Sequence, residues 1–101
     1  MPSRALLEPA SVSRALKDLP GWTADGNQSI SKTFTFGNHI EAMGFVVRVA
    51  MAAEVMDHHP DLQISYKKVT VSWSTHDAGG LTAKDFTGAA QSDMIAAKFA
   101  R

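Results

Sequence analysis

The sequence predicts an α+β fold, a two-layer sandwich in which a four-stranded antiparallel sheet carries three helices on one face. Three observations predict it. Residues 29–36, 61–66 and 69–74 alternate apolar and polar side chains with period two, as strands with one dry and one wet face do. The last two of these runs are so close in sequence that they read as one antiparallel hairpin. The remaining segments repeat their apolar residues at helical spacing. The order is helix, strand, strand, helix, strand, strand, helix (α-β-β-α-β-β-α), and helices on one side of an antiparallel sheet follow most simply.

Pro9 to Leu19 reads as the first helix. Pro9 suits a first turn because it has no N–H to lose, and Val12, Ala15, Leu16 and Leu19 share a face. Pro20-Gly21 stops it. Trp22 to Ala24 is a short strand and Asp25-Gly26-Asn27 a turn. Ile30, Phe34 and Phe36 then oppose Ser29, Ser31, Thr33 and Thr35 in parity. Asn38 is an N-cap with Glu41 in capping-box position, and the middle helix runs to about Met56.

That helix has two apolar stripes. Ile40, Met43, Val47, Ala50 and Met51 form one; Ala42, Val46, Val49, Ala53 and Met56 form the other. A helix so apolar is no ordinary surface helix. One stripe packs on the sheet; the other meets a second subunit or another helix of the same chain. In the hairpin, Leu62, Ile64 and Tyr66 face Val69, Val71 and Trp73. With Lys67-Lys68 as the turn, 66 pairs with 69, 64 with 71 and 62 with 73, and Tyr66 is a core residue. Gly79-Gly80 is a loop. Thr82 caps the last helix with Asp85 in its first turn, and Phe86, Ala89, Ala90, Met94, Ile95 and Ala97 form its core face.

At 101 residues the chain, 1–101, is one domain with a modest core that oligomerisation would support. Ten basic and ten acidic residues cancel, which argues against a nonspecific nucleic-acid binder. With no cysteine there is no disulfide framework, Cys-based zinc site or thiol nucleophile, in keeping with a cytoplasmic location. The apolar run after Met1 is too short for a signal peptide, and Glu41, Arg48 and Glu54 break the most apolar window, so no membrane span is expected.

Asp57-His58-His59-Pro60 concentrates the chemistry. Imidazole exchanges protons near neutral pH. His76 ends the second hairpin strand, and since the hairpin starts beside His59, one turn brings His76 back toward His58 and His59. Glu54 shares a face with His58 if the helix extends that far. Three readings compete: surface or capping histidines, a metal site, and metal-free proton transfer. Glu54, His58, His59 and His76 are suitable ligand types, but no familiar zinc spacing is present, and adjacent residues rarely both reach one ion. Proton transfer is favoured.

Glu54-x-x-Asp57-His58-His59-Pro60, Tyr66-x-x-Val69, Ser74-Thr75-His76-Asp77 and Gly80-Leu81-Thr82-x-x-Asp85 together resemble the pterin-4a-carbinolamine dehydratases, as do Leu19-Pro20-Gly21-Trp22 and Phe34-x-Phe36. The resemblance implies a cofactor-free hydro-lyase that converts 4a-hydroxytetrahydrobiopterin to quinonoid dihydropterin and water, in the recycling of the pterin used by aromatic amino acid hydroxylases. It implies His58, His59 and His76 as catalytic residues. Glu54, Asp57, Pro60, Thr75 and Asp85 would support them or bind substrate. It implies no metal, and a homodimer or homotetramer joined through the 39–56 helix and sheet edges. An interaction module of the same fold, working through polar-sensitive Val46 and Val49, and a non-catalytic pterin binder are the alternatives. One departure stands out: the family often has Trp two residues after the His-His-Pro proline, where this chain has Leu62.

Overall fold

The computed structural model describes residues 5–99; Met1–Arg4, on which the expectation about a signal peptide falls, lie outside the described residues. The elements are α1 (Pro9–Leu16), β1 (Thr23–Asp25), β2 (Ser29–Thr35), α2 (His39–Met56), β3 (Asp61–Ser65), β4 (Lys68–Trp73) and α3 (Ala83–Ala97), with a 3-10 turn at His76–Ala78. The predicted α+β class and element order hold. The sheet is fully antiparallel in the order β1-β2-β4-β3. Its dry face consists of Ile30, Phe34, Val69, Val71 and Trp73, all buried against Phe45, Val49 and Ala53 of α2 and Ala89 of α3. The other face carries serines and threonines, among them the Thr33–Thr70 hydroxyl pair at 2.8 Å.

Helix α1 ends earlier than Leu19, because Lys17, Asp18 and Leu19 donate to carbonyls three residues back and tighten the chain before Pro20. Asn38 caps α2 as expected, its Oδ1 accepting from Glu41 N–H at 2.8 Å. Glu41 reaches back to Gly37 N–H at 2.9 Å, one residue short of a strict capping box. The strict box belongs to α3, with Thr82 and Asp85.

The hairpin register differs from the expected one by two residues. Ser65 pairs with Lys68, Ile64 with Val69 and Leu62 with Val71, so the turn is Tyr66-Lys67. An even shift keeps every side chain on its face, which is why the alternation could not reveal it. Tyr66 is therefore exposed rather than core and takes a left-handed φ of 54°. A two-residue hairpin turn demands such a φ at its first position. His39 holds it: Nδ1 donates to the Tyr66 carbonyl at 2.7 Å and the two rings stack.

On α2 the two expected stripes separate as anticipated: Ala42, Val49 and Ala53 are buried, joined by Phe45, while Ile40, Val47 and Met51, with Val55, are exposed. Val49 is core and Val46 packs partly against it, so neither probes an outer surface. On α3, Ala89 is buried and Phe86 and Ile95 pack partly on the core as expected, but the other fully buried residues are Asp85, Gly88 and Ser92, and Met94, Ala90 and Ala97 are exposed, a correction to the expected face. The reason is Trp73, whose indole lies against the bare backbone of Gly88 and donates through Nε1 to Ser92 Oγ at 3.2 Å.

The loop after β4 is clamped by the β1–β2 turn. Leu81 N–H donates to Asn27 O at 2.9 Å, Leu7 N–H to Leu81 O at 2.9 Å, and Asn27 Nδ2 to Leu7 O at 2.9 Å. A Cβ on Gly80 would stand 2.6 Å from the Asn27 carbonyl oxygen. Gly80→Ala is thus expected to force loop and turn apart at a cost of about 1–3 kcal/mol, as overpacking does, read by urea unfolding. Gly79→Ala, with nothing within 4 Å but a φ of 81°, strains only the local backbone and tests the difference.

Candidate active site

Helix α2 ends in a Schellman turn. His58 N–H donates to Ala53 O at 3.1 Å, Asp57 N–H donates to Glu54 O at 3.2 Å, and Asp57 takes the left-handed conformation at φ 54°. The turn swings His58 off the helix, so Glu54 and His58 do not share a face as the sequence suggested. Glu54 instead meets His59, Oε1 to Nε2 at 2.8 Å, in an exposed pair.

His58 points inward. Its side chain is 11% exposed, and its ring stacks on Trp73 at 5.6 Å between centroids. Its Nε2 lies 2.7 Å from Oδ1 of Asp85, which is wholly buried. Asp85 Oδ2 accepts from Thr75 Oγ1 at 2.8 Å and from Thr82 N–H at 3.0 Å. Thr75 and Thr82 hydroxyls are 2.9 Å apart. Donor accounting orders this network. Thr75 gives its proton to Asp85, so Thr82 donates to Thr75. Asp85, an acceptor on both oxygens, takes the Nε2–H of His58. In neutral His58, Nδ1 is then the basic nitrogen. Among the described residues no buried side-chain polar atom lacks a partner.

His76 follows β4 on the clamped loop, exposed, its Nε2 3.4 Å from Ser74 Oγ. His58, His59 and His76 line one cleft of ≈ 220 Å³ together with Asp57, Ser74, Thr75, Asp77 and Lys84. The helix end, the hairpin's return and the first turn of α3 thus meet at one end of the sheet. Among the described residues no group of three or more His, Asp or Glu side chains is arranged to hold a metal ion.

A family model described as pterin 4 alpha carbinolamine dehydratase matches residues 5–95. The chain belongs to this family. A Roseiflexus castenholzii protein named "Putative pterin-4-alpha-carbinolamine dehydratase" is 55% identical over 91 residues, 90% of this chain and 97% of the relative. A protein of the same name from Afipia carboxidovorans is 50% identical over 95 residues, 93% and 95% of the two chains. The crystal structure of a transcriptional coactivator/pterin dehydratase from Brucella melitensis matches at TM-score 0.85 and 35% identity, over 89% of this chain and 97% of that one. A pterin dehydratase-like protein identified as a RuBisCO assembly factor in the alpha-carboxysome, at TM-score 0.61 and 20% identity over 74% and 86%, shares the fold.

In this pterin dehydratase family member, the structure brings seven of the eight singled-out residues to the site. His58, His59, His76, Asp57 and Thr75 line the cleft, Asp85 lies beneath it and Glu54 reaches it through His59. Pro60 is not part of the cleft lining; it stands between His59 and β3. Leu62, at the position where the resemblance leads one to expect Trp, is half-buried and absent from the cleft lining. Trp73 supports His58 from below but is 2% exposed and offers no open stacking surface. Ser74, Asp77 and Lys84 also line the cleft without having been expected there, although the first two sit in the Ser74-Thr75-His76-Asp77 motif. Lys84 carried no signal beyond standing next to Asp85.

Proposed function

We propose that the chain is a 4a-hydroxytetrahydrobiopterin dehydratase that works by histidine acid–base catalysis. The observation that carries this reading is the buried Asp85–His58 pair, opening on a cleft that His59 and His76 also line, in a chain of this family. Hydroxide is a poor leaving group, so the 4a-oxygen must be protonated as its bond to carbon breaks. The ring N–H must lose its proton as that bond's electron pair becomes the new C=N bond. One imidazole giving a proton and another taking one satisfy both demands.

His58, held by Asp85 with Nδ1 basic, takes the ring proton, and His76 delivers one to the departing oxygen. His59, held by Glu54, orients the ring. The products are quinonoid dihydropterin and water, and the two histidines exchange protons with solvent to reset. We place this activity in the cytoplasm, in recycling the pterin consumed by an aromatic amino acid hydroxylase. Dehydration of freshly generated 4a-hydroxytetrahydrobiopterin, followed by rapid absorbance with a metal chelator present, tests it. The expected result is chelator-resistant acceleration; a folded protein that gives none would overturn the reading.

The exposed stripe Ile40, Val47, Met51 and Val55 supports a homo-oligomer joined through α2. Val47→Asp with Met51→Asp is expected to lower the mass seen by light scattering while leaving secondary structure unchanged. An unchanged mass would move the interface elsewhere. Among the described residues no helix is long and apolar enough to cross a membrane.

A further inference from the structure

Lys84 is the single lysine or arginine among the residues lining the histidine cleft. Nothing in the fold requires it there. It stands in the first turn of α3, where a cation opposes the helix dipole. Its backbone N–H donates to Thr82 Oγ1 at 3.3 Å, but its half-buried side chain has no hydrogen-bond or ion-pair partner among the described residues. A lysine side chain lining a cleft with three imidazoles and two carboxylates, Asp57 and Asp77, is placed to meet a ligand acceptor.

A 4a-hydroxypterin offers a matching edge. Its pyrimidinone ring presents donors, the 2-amino group and N3–H, beside one strong acceptor, the C4 carbonyl. C4 is bonded directly to the reacting carbon C4a. We infer that Lys84 binds substrate by donating to the C4 carbonyl oxygen, fixing C4a relative to His58 and His76. This inference rests on the dehydratase reading and adds to it a residue that recognises the ring.

The test uses wild type, Lys84→Met and Lys84→Arg, titrated by tryptophan fluorescence with 7,8-dihydrobiopterin and with its 2,4-diamino counterpart, in which an amino donor replaces the carbonyl acceptor. Hydrogen bonds to charged groups correspond to roughly 10–100-fold in affinity. Wild type is expected to prefer the oxo compound by about that factor. Lys84→Met should lose the preference and bind the oxo compound correspondingly more weakly, with KM raised more than kcat is lowered. Lys84→Arg should retain the preference. The melting temperature of Lys84→Met should be equal to or higher than wild type, because an unfavourable dipole contact is removed. A folded Lys84→Met with wild-type affinity and preference would overturn the assignment. A wild type that neither binds dihydrobiopterin nor accelerates dehydration would overturn the dehydratase reading, and the role of Lys84 with it.

Discussion

Asp85→Asn is expected to lower the dehydration kcat by about 10²–10⁴-fold in a chain that still folds. The direction follows from the donors around the carboxylate. Thr82 N–H and the Thr75 hydroxyl both donate to Oδ2, so an amide must keep its oxygen there and turn its NH₂ toward His58. Nε2 would then have to accept, which places the imidazole proton on Nδ1, the nitrogen proposed to take the ring proton. His58→Ala and His76→Ala should lose activity on the same scale, about 10²–10⁴-fold, since each deletes one proton-transfer partner. Circular dichroism and thermal unfolding distinguish lost chemistry from lost structure, because Asp85 also completes the α3 capping box. Wild-type rates in folded Asp85→Asn would show that the buried carboxylate only caps the helix.

Gly88→Ala is expected to damage stability and activity together, although Gly88 is not among the residues lining the cleft. A Cβ there would stand 2.6–2.7 Å from three Trp73 ring carbons. The indole cannot yield easily, being 2% exposed and tied to Ser92, which in turn donates to the Gly88 carbonyl at 2.9 Å. Overpacking of this kind costs about 1–3 kcal/mol, which at roughly 4–8 °C per kcal/mol is a plain fall in Tm. Because His58 stacks on the displaced ring, the His58–Asp85 contact should loosen and the rate fall with it. Met94→Ala, on the exposed side of the same helix, is the control, expected within about 0.5 kcal/mol of wild type. A Gly88→Ala protein with unchanged Tm would contradict the close packing of Trp73 on α3.

Much of the architecture was legible in the chain. Alternation at Ile30, Phe34, Val69, Val71 and Trp73 announced the dry face of the sheet, because side chains alternate across a strand whatever it pairs with. Asn38 and Thr82 marked helix starts, because capping is a local exchange between one side chain and nearby N–H groups. The three histidines could be brought to one end of the molecule from connectivity alone, since a hairpin returns to where it began.

What stayed hidden depended on contacts between distant residues or on backbone angles. The two-residue slip of the hairpin was invisible, since it preserves every face, and the Tyr66 turn is stabilised by His39 on another element. The Schellman turn at Asp57 has no glycine to announce it, yet it decides that Glu54 meets His59 and not His58. The inward face of α3 belongs to Asp85, Gly88 and Ser92, residues that hydropathy counts as surface, because Trp73 needs a flat seat and an acceptor there. By itself the sequence determined which elements form, which way the strands face and which histidines gather, all of them consequences of local period and connection length. Only the tertiary structure decided that His58 lies on Trp73 and hands its Nε2–H to a buried Asp85, because hydrogen-bond partners 27 residues apart are chosen by packing.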